Sequence, residues 1–199
     1  MHNNPIRGFI FDLDGTLVTS DLNFTKMKER VGCPIAEDIL EYISHIEDDQ
    51  KRIAAEAAVA NMEIEDALNA KWIPGAQRFI EKLYLRNIPM AIVTRNCKAA
   101  TSIKIDNNRI PIKSVITRED APSKPDPTAL QMIAQEWCME PSDIVYVGDY
   151  IYDIQAANLA EMRAWSFGFD AQGYTHNKVD RYFDCFTELY NIAELVALE

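Results

Sequence analysis

Two aspartates stand two residues apart in Asp12-Leu13-Asp14-Gly15-Thr16. On an extended backbone alternate side chains share a face, so both carboxylates can address one cleft, as nucleophile, acid–base group or cation ligand. A second acidic pair lies in Gly148-Asp149-Tyr150-Ile151-Tyr152-Asp153. Asp149 and Asp153 are spaced i, i+4 and share a side if a helix begins there. Four carboxylates gathered in one place repel one another unless a hard cation sits among them. Few carboxylates, completed by water and a substrate phosphate, make the ligand set that suits Mg²⁺. Thr94-Arg95-Asn96 offers a hydroxyl and, at a helix start, backbone N–H groups that cradle an anion. The same triplet also reads as an ordinary N-cap. Lys124 lies in Ser123-Lys124-Pro125-Asp126-Pro127, where prolines keep the backbone extended ahead of a helix. An acidic site that binds an anion needs such a fixed positive charge, although most loop lysines are simply solvated.

Strand ends and helix starts must bring these stretches together. The apolar run Ile6–Phe11 ends in acidic residues and glycine, as a buried parallel strand does. Ile88–Thr94 and Ile144–Val147 are further clear strands, and Lys113–Ile116, Arg163–Phe167 and Arg181–Phe183 are weaker ones. Helical patterns fall at Gly75–Arg86, Lys98–Ile105, Pro127–Cys138, Ile151–Ala160 and Thr187–Leu198. This alternation predicts an α/β fold, a doubly wound Rossmann-like parallel sheet with functional residues just past the carboxyl ends of its strands. The interval from Asp12 to Thr94 far exceeds the roughly 30 residues of a βαβ unit. Its surplus carries Leu22, Met27, Val31, Ile39, Ile43 and Ile46 at helical spacings. The expected organisation is therefore a core of residues 1–18 and 73–199 with a small helical cap at 19–72. Short hinges are expected near Val18–Ser20 and Trp72–Gly75. The cap's bases, Lys26, Lys28, Arg30, Lys51, Arg52 and Lys71, are outnumbered by its acids.

Taken in chain order, the four stretches resemble the motifs of the haloacid dehalogenase-like hydrolase superfamily: DxDGT, a Thr or Ser after the second strand, a Lys before a helix, and GDxxxD. Ile73-Pro74-Gly75 resembles the return from a helical cap, and the likeness runs from about Gly8 to Phe167. Within the superfamily the chain looks like the branch that holds phosphoglycolate phosphatases and β-phosphoglucomutases. The resemblance implies a Mg²⁺-dependent phosphatase acting on a small phosphorylated metabolite. By it, Asp12 is the nucleophile that forms an aspartyl-phosphate and Asp14 the general acid and base. Thr94 and Lys124, with Arg95 and Asn96, hold the phosphoryl group. Asp12, the Asp14 backbone carbonyl and Asp149 hold the metal, and Asp153 supports it from behind or through water. Tyr150, Ala157 and Glu161 depart from the branch's usual small residues or glycines, and the cap is short for it. A mutase, a phosphonatase using Lys26 or Lys28, and a non-catalytic phosphate-binding module are the alternatives. Every catalytic group is present, which favours the enzyme. Lys26, Lys28 and Arg30 are the cap bases that could meet a second anionic group.

Composition narrows the setting. At 48% hydrophobic and 26% charged residues, the chain suits an ordinary globular protein. A net charge of −11 argues against nucleic acid and against an anionic membrane surface as partners. No apolar stretch is long enough to span a bilayer, and Asp12 and Asp14 interrupt the only apolar run near the N-terminus. Cys33, Cys97, Cys138 and Cys185 show no metal or dithiol spacing, so a reducing, cytoplasmic setting is expected. His2, His45 and His176 form no metal-binding pair, which leaves a zinc hydrolase without its ligands. A monomer or homodimer is expected.

Overall fold

The computed structural model describes residues 5–168 and 177–191. Among them, six strands form one parallel sheet: β1 (Gly8–Phe11), β2 (Met90–Val93), β3 (Ser114–Ile116), β4 (Ile144–Gly148), β5 (Arg163–Phe167) and β6 (Arg181–Phe183). Their spatial order is β3-β2-β1-β4-β5-β6. The chain thus winds outward from β1 through β2 to β3, then restarts on β1's other side with β4. That reversal opens a crevice at the carboxyl ends of β1 and β4.

Both faces of the sheet are covered, which is why its strands read as near-continuous apolar runs. The side-chain period of two sends Phe9, Phe11, Val145 and Val147 into one core, against Phe79, Ile80 and Leu83 of α4 (Ala76–Leu85). Phe9 and Phe79 meet edge to face at 5.7 Å. Ile10, Ile144 and Tyr146 enter the opposite core, with Leu130 and Ile133 of α6 (Thr128–Glu136) and Ile154 and Ala157 of α7 (Ile151–Leu159). Between β2 and β3 runs α5 (Lys98–Asn108).

Three helices occupy the interval between β1 and α4: α1 (Phe24–Val31), α2 (Ile39–Ser44) and α3 (Asp49–Ala67). Asn23, Asp38 and Asp48 cap their N-termini, each accepting from backbone N–H groups of the first turn. Met27, Ile39, Ile43 and Val59 close a small core of their own. The chain leaves and returns side by side, through a Val18–Trp72 bridge and the bonds Thr19 N to Lys71 O (2.8 Å) and Ile73 N to Leu17 O (2.9 Å). Helix α3 also packs on α5, with Ala67 against Cys97 and Ala100.

Strand and helix ends shift modestly from the sequence expectation, as ends do. The larger difference is α5, which continues past Ile105 to Asn108 and stops at Arg109 in a left-handed conformation (φ 51°). Of the helix expected at Thr187–Leu198, the described part is a short 3₁₀ turn at Phe186–Leu189, and residues 192–199 lie outside the described residues. No helix among the described residues is long and apolar enough to cross a membrane.

Candidate active site

The sheet positions the acidic residues directly. Asp12 extends β1 by one residue, its N–H donating to Val147 O of β4 at 2.8 Å, so it stands beside the Gly148-Asp149 corner. Helix α7 then begins at once and turns Asp153 back toward the same place. Carboxylate oxygens of Asp12, Asp149 and Asp153 lie within 4.8 Å of one another. Two glycines make room. A Cβ at Gly15, where φ is +73°, or at Gly148 would collide with the carboxylate of Asp149 or Asp153 respectively. Thr16 donates its hydroxyl to Asp149 Oδ1 at 2.9 Å.

Lys124, 4% exposed, reaches this cluster from the loop before α6. Its ammonium lies 2.8 Å from Asp12 Oδ1 and 2.7 Å from Asp153 Oδ1, and it donates to the Tyr146 hydroxyl at 2.7 Å. Burial works against this ammonium, yet Asp12 and Asp153 outweigh it and hold its pKa above the usual lysine value. Asp153 Oδ2 accepts from Tyr150 N at 2.9 Å, so both of its oxygens have protein partners. Burial drives the Asp12 carboxyl well above the carboxylate range, opposed by Lys124 and reinforced by Asp153 and Asp149. Asp149 is pushed up to about 6, by burial first and Asp153 next. A buried set of oxygen ligands that resists carrying its own negative charge fits a hard divalent cation.

Asp14 faces elsewhere. The sequence places it with the other three carboxylates, but its side chain turns to α5 and to the loop after β2. Asp14 Oδ1 accepts from Lys104 Nζ at 2.6 Å, and Oδ2 accepts from Asn96 Nδ2 at 2.8 Å. Burial raises its pKa while Lys104 and Asn96 oppose the rise. Thr94 is buried at the cavity wall, its Oγ1 accepting from Asn96 N at 3.2 Å. Arg95, expected at a phosphoryl group, instead donates to both oxygens of Asp38 on the insertion, at 2.7 and 2.6 Å, and lies over the Tyr152 ring at 4.8 Å.

Several residues at the site escape the motif reading. Lys104, fully buried, bridges Asp14 and Asp66 of α3, the latter at 2.7 Å. Asp66 also accepts from Ser20 Oγ and Asp21 N at the first joint of the insertion. Glu63 of α3 accepts from Cys97 N at 2.9 Å and binds Arg118 through both oxygens at 2.5 and 2.7 Å. The signal for Lys104 was present in the helix period. Cys97, Ala100, Thr101 and Lys104 fall on one buried stripe, where a lysine must find a partner.

A cavity of about 530 Å³ joins the carboxylates to the insertion, with Leu22, Met27 and Val59 among its walls. Lys28 lines it, its Nζ donating to Ile35 O at 2.6 Å. Lys26 and Arg30 lie on exposed faces outside the residues that form it.

A sequence profile described as haloacid dehalogenase-like hydrolase matches residues 9–166. A haloacid dehalogenase-like hydrolase domain-containing protein of Arabidopsis thaliana is 28% identical over 159 residues, covering 74% of this chain and 64% of that protein. The chain thus spans just under two thirds of that relative's length. A phosphoglycolate phosphatase of Pseudomonas putida is 25% identical, with 85% of this chain and 71% of that one covered. The crystal structure of a hydrolase from Pseudomonas syringae superposes with a TM-score of 0.77 at 20% identity, covering 96% of this chain and all of that one. That last likeness concerns the fold.

Proposed function

The chain belongs to the haloacid dehalogenase-like hydrolase family, and from that membership we propose that it hydrolyses a phosphomonoester with Mg²⁺, through a phosphorylated Asp12. One arrangement carries the reading. Lys124 lies 2.8 Å from Asp12 Oδ1, while Asp12, Asp149 and Asp153 bring oxygens within 4.8 Å of one another at the switch point of the sheet. The phosphoglycolate phosphatase among the relatives supports a phosphate ester as substrate.

In this reading an Asp12 oxygen attacks phosphorus as the bond to the leaving oxygen breaks, dividing one difficult displacement into two. Asp14, which lines the cavity, donates a proton to the leaving oxygen. It then takes a proton from the water that attacks phosphorus and frees Asp12. Lys124 and the Thr94 hydroxyl hold the phosphoryl oxygens, with charge stabilisation strengthened by burial. Asp12, Asp149 and the Asp14 backbone carbonyl would hold Mg²⁺, which would screen nucleophile from phosphate and offset charge on the transferred group. Asp153, already engaged at both oxygens, fixes Lys124 and the start of α7. A phosphonatase needs an insertion lysine able to form an imine. Lys28 is the insertion lysine on the cavity wall, and its ammonium is held by Ile35 O.

The test is hydrolysis of an aryl phosphate by the purified protein. EDTA is expected to abolish it and Mg²⁺ to restore it, with Asp12→Asn inactive under all conditions. Turnover indifferent to EDTA overturns the metal, and turnover by Asp12→Asn overturns the nucleophile.

A further inference from the structure

The cavity that runs from the reacting carboxylates to the insertion says what kind of leaving group it accepts. Its volume, about 530 Å³, falls within the roughly 300–1,000 Å³ of pockets that enclose drug-sized molecules. A phosphoglycolate-sized ester would leave most of it to water. Leu22, Met27, Ile39 and Val59 give it an apolar wall, where Asp38 and Glu63 are each paired with an arginine.

Among the described residues, the basic side chains of the wall are Lys28, Arg95 and Lys124, and each already has a partner. Lys124 is held by Asp12 and Asp153, whereas Lys28 donates to the neutral Ile35 O and keeps its charge. Arg95 is the cation that a substrate carboxylate would seek, because a guanidinium binds a carboxylate through paired N–H groups. That seat is taken by Asp38, which is itself anchored by the backbone N–H groups of Leu40 and Glu41 at 3.0 and 3.2 Å. A second anionic group directed to Arg95 would have to evict Asp38 from it.

Resting on the phosphatase reading above, we propose that this site takes phosphomonoesters whose leaving group is uncharged and largely apolar. Asp38, seated on Arg95, is the specificity determinant that rejects esters carrying a second anionic group.

Benzyl phosphate and 4-carboxybenzyl phosphate test this, since they differ by one carboxylate remote from the ester oxygen. The wild-type chain is expected to favour benzyl phosphate in kcat/KM by about tenfold, the cost of covering a carboxylate whose guanidinium partner is already taken. Asp38→Ser keeps an N-cap for α2 but uncovers Arg95, and should bring the ratio near one or reverse it. Adding Arg95→Met to that variant should restore the preference for the neutral ester. If Asp38→Ser fails to fold, Asp38→Asn, an equally good N-cap without the charge, takes its place. Equal rates on both esters in the wild type, or a ratio unmoved by the Asp38 variant, overturn the specificity and leave the phosphatase reading standing. Hydrolysis of neither ester by protein that turns over an aryl phosphate overturns the specificity alone, and turnover of none of the three overturns both.

Discussion

Lys104 and Asp14 form an ion pair at 2.6 Å, in which a fully covered ammonium on α5 fixes the carboxylate proposed for proton transfer. The same ammonium holds Asp66 of α3, so one side chain ties the reacting end of the β1 loop to the insertion.

Lys104→Met is expected to leave two carboxylates without their cation and to lower stability by about 3–5 kcal/mol, measured by urea unfolding. Its kinetic effect separates positioning from folding. In the proposed mechanism, poor leaving groups depend on a proton from Asp14 far more than good ones do. In the folded fraction, kcat should therefore fall much further on alkyl than on nitrophenyl phosphates. Equal losses on both would mean that Lys104 serves the fold alone.

Burial raises both Asp12 and Asp149 above their unfolded values, Asp149 to about 6. Between roughly pH 4 and 6 the folded, metal-free chain thus binds more protons than the unfolded one, and its stability falls as pH rises through that window. Metal-free protein should melt higher near pH 5 than near pH 7. Mg²⁺, which needs the deprotonated carboxylates, should raise the melting temperature more at pH 7 than at pH 5. Scanning calorimetry with and without Mg²⁺ at both pH values checks the sign.

Asp12→Asn should abolish aryl phosphate turnover while melting no lower than the wild type in metal-free buffer at pH 7. The substitution removes a charge that burial disfavours, and Lys124 keeps Asp153 as its partner. A marked drop in melting temperature would show that the Asp12–Lys124 pair holds the fold as well as the chemistry.

Glu63→Gln should loosen the seam between α3 and α5, because Arg118 loses its carboxylate there. The expected cost is about 1–3 kcal/mol. Limited proteolysis should then cut within residues 24–67 before the sheet core, since the insertion opens first. Unchanged cleavage sites and rates would assign the docking to the Lys104–Asp66 pair and apolar contact.

Much of this was legible beforehand because motif and element coincide. An apolar strand that stops at Asp12, and another that stops at Gly148-Asp149, locate two sheet ends whatever their order in the sheet. Adjacency of β1 and β4, which brings the carboxylates together, rests on long-range pairing that no local spacing encodes. The side-chain directions were harder. Motif neighbours alone do not fix Asp14 and Arg95, because a buried lysine on α5 and the aspartate that caps α2 decide where they point. Tyr146, inside an apolar strand, gave no sign that its hydroxyl supports Lys124 and Asp153.

The insertion enters and leaves the core through strands pinned side by side at Val18 and Trp72. Since its two ends already meet, its length bears little on closing the loop. Segments of other lengths could be spliced between these points without disturbing the sheet or the residues past β1. Exchange is restrained instead by what α3 covers. A replacement must bring its own partner for Lys104 and its own apolar cover for Cys97 and Ala100. Grafted insertions should accordingly succeed or fail on one helix, the one that lies along α5, and leave the remainder free to vary with the ester they admit.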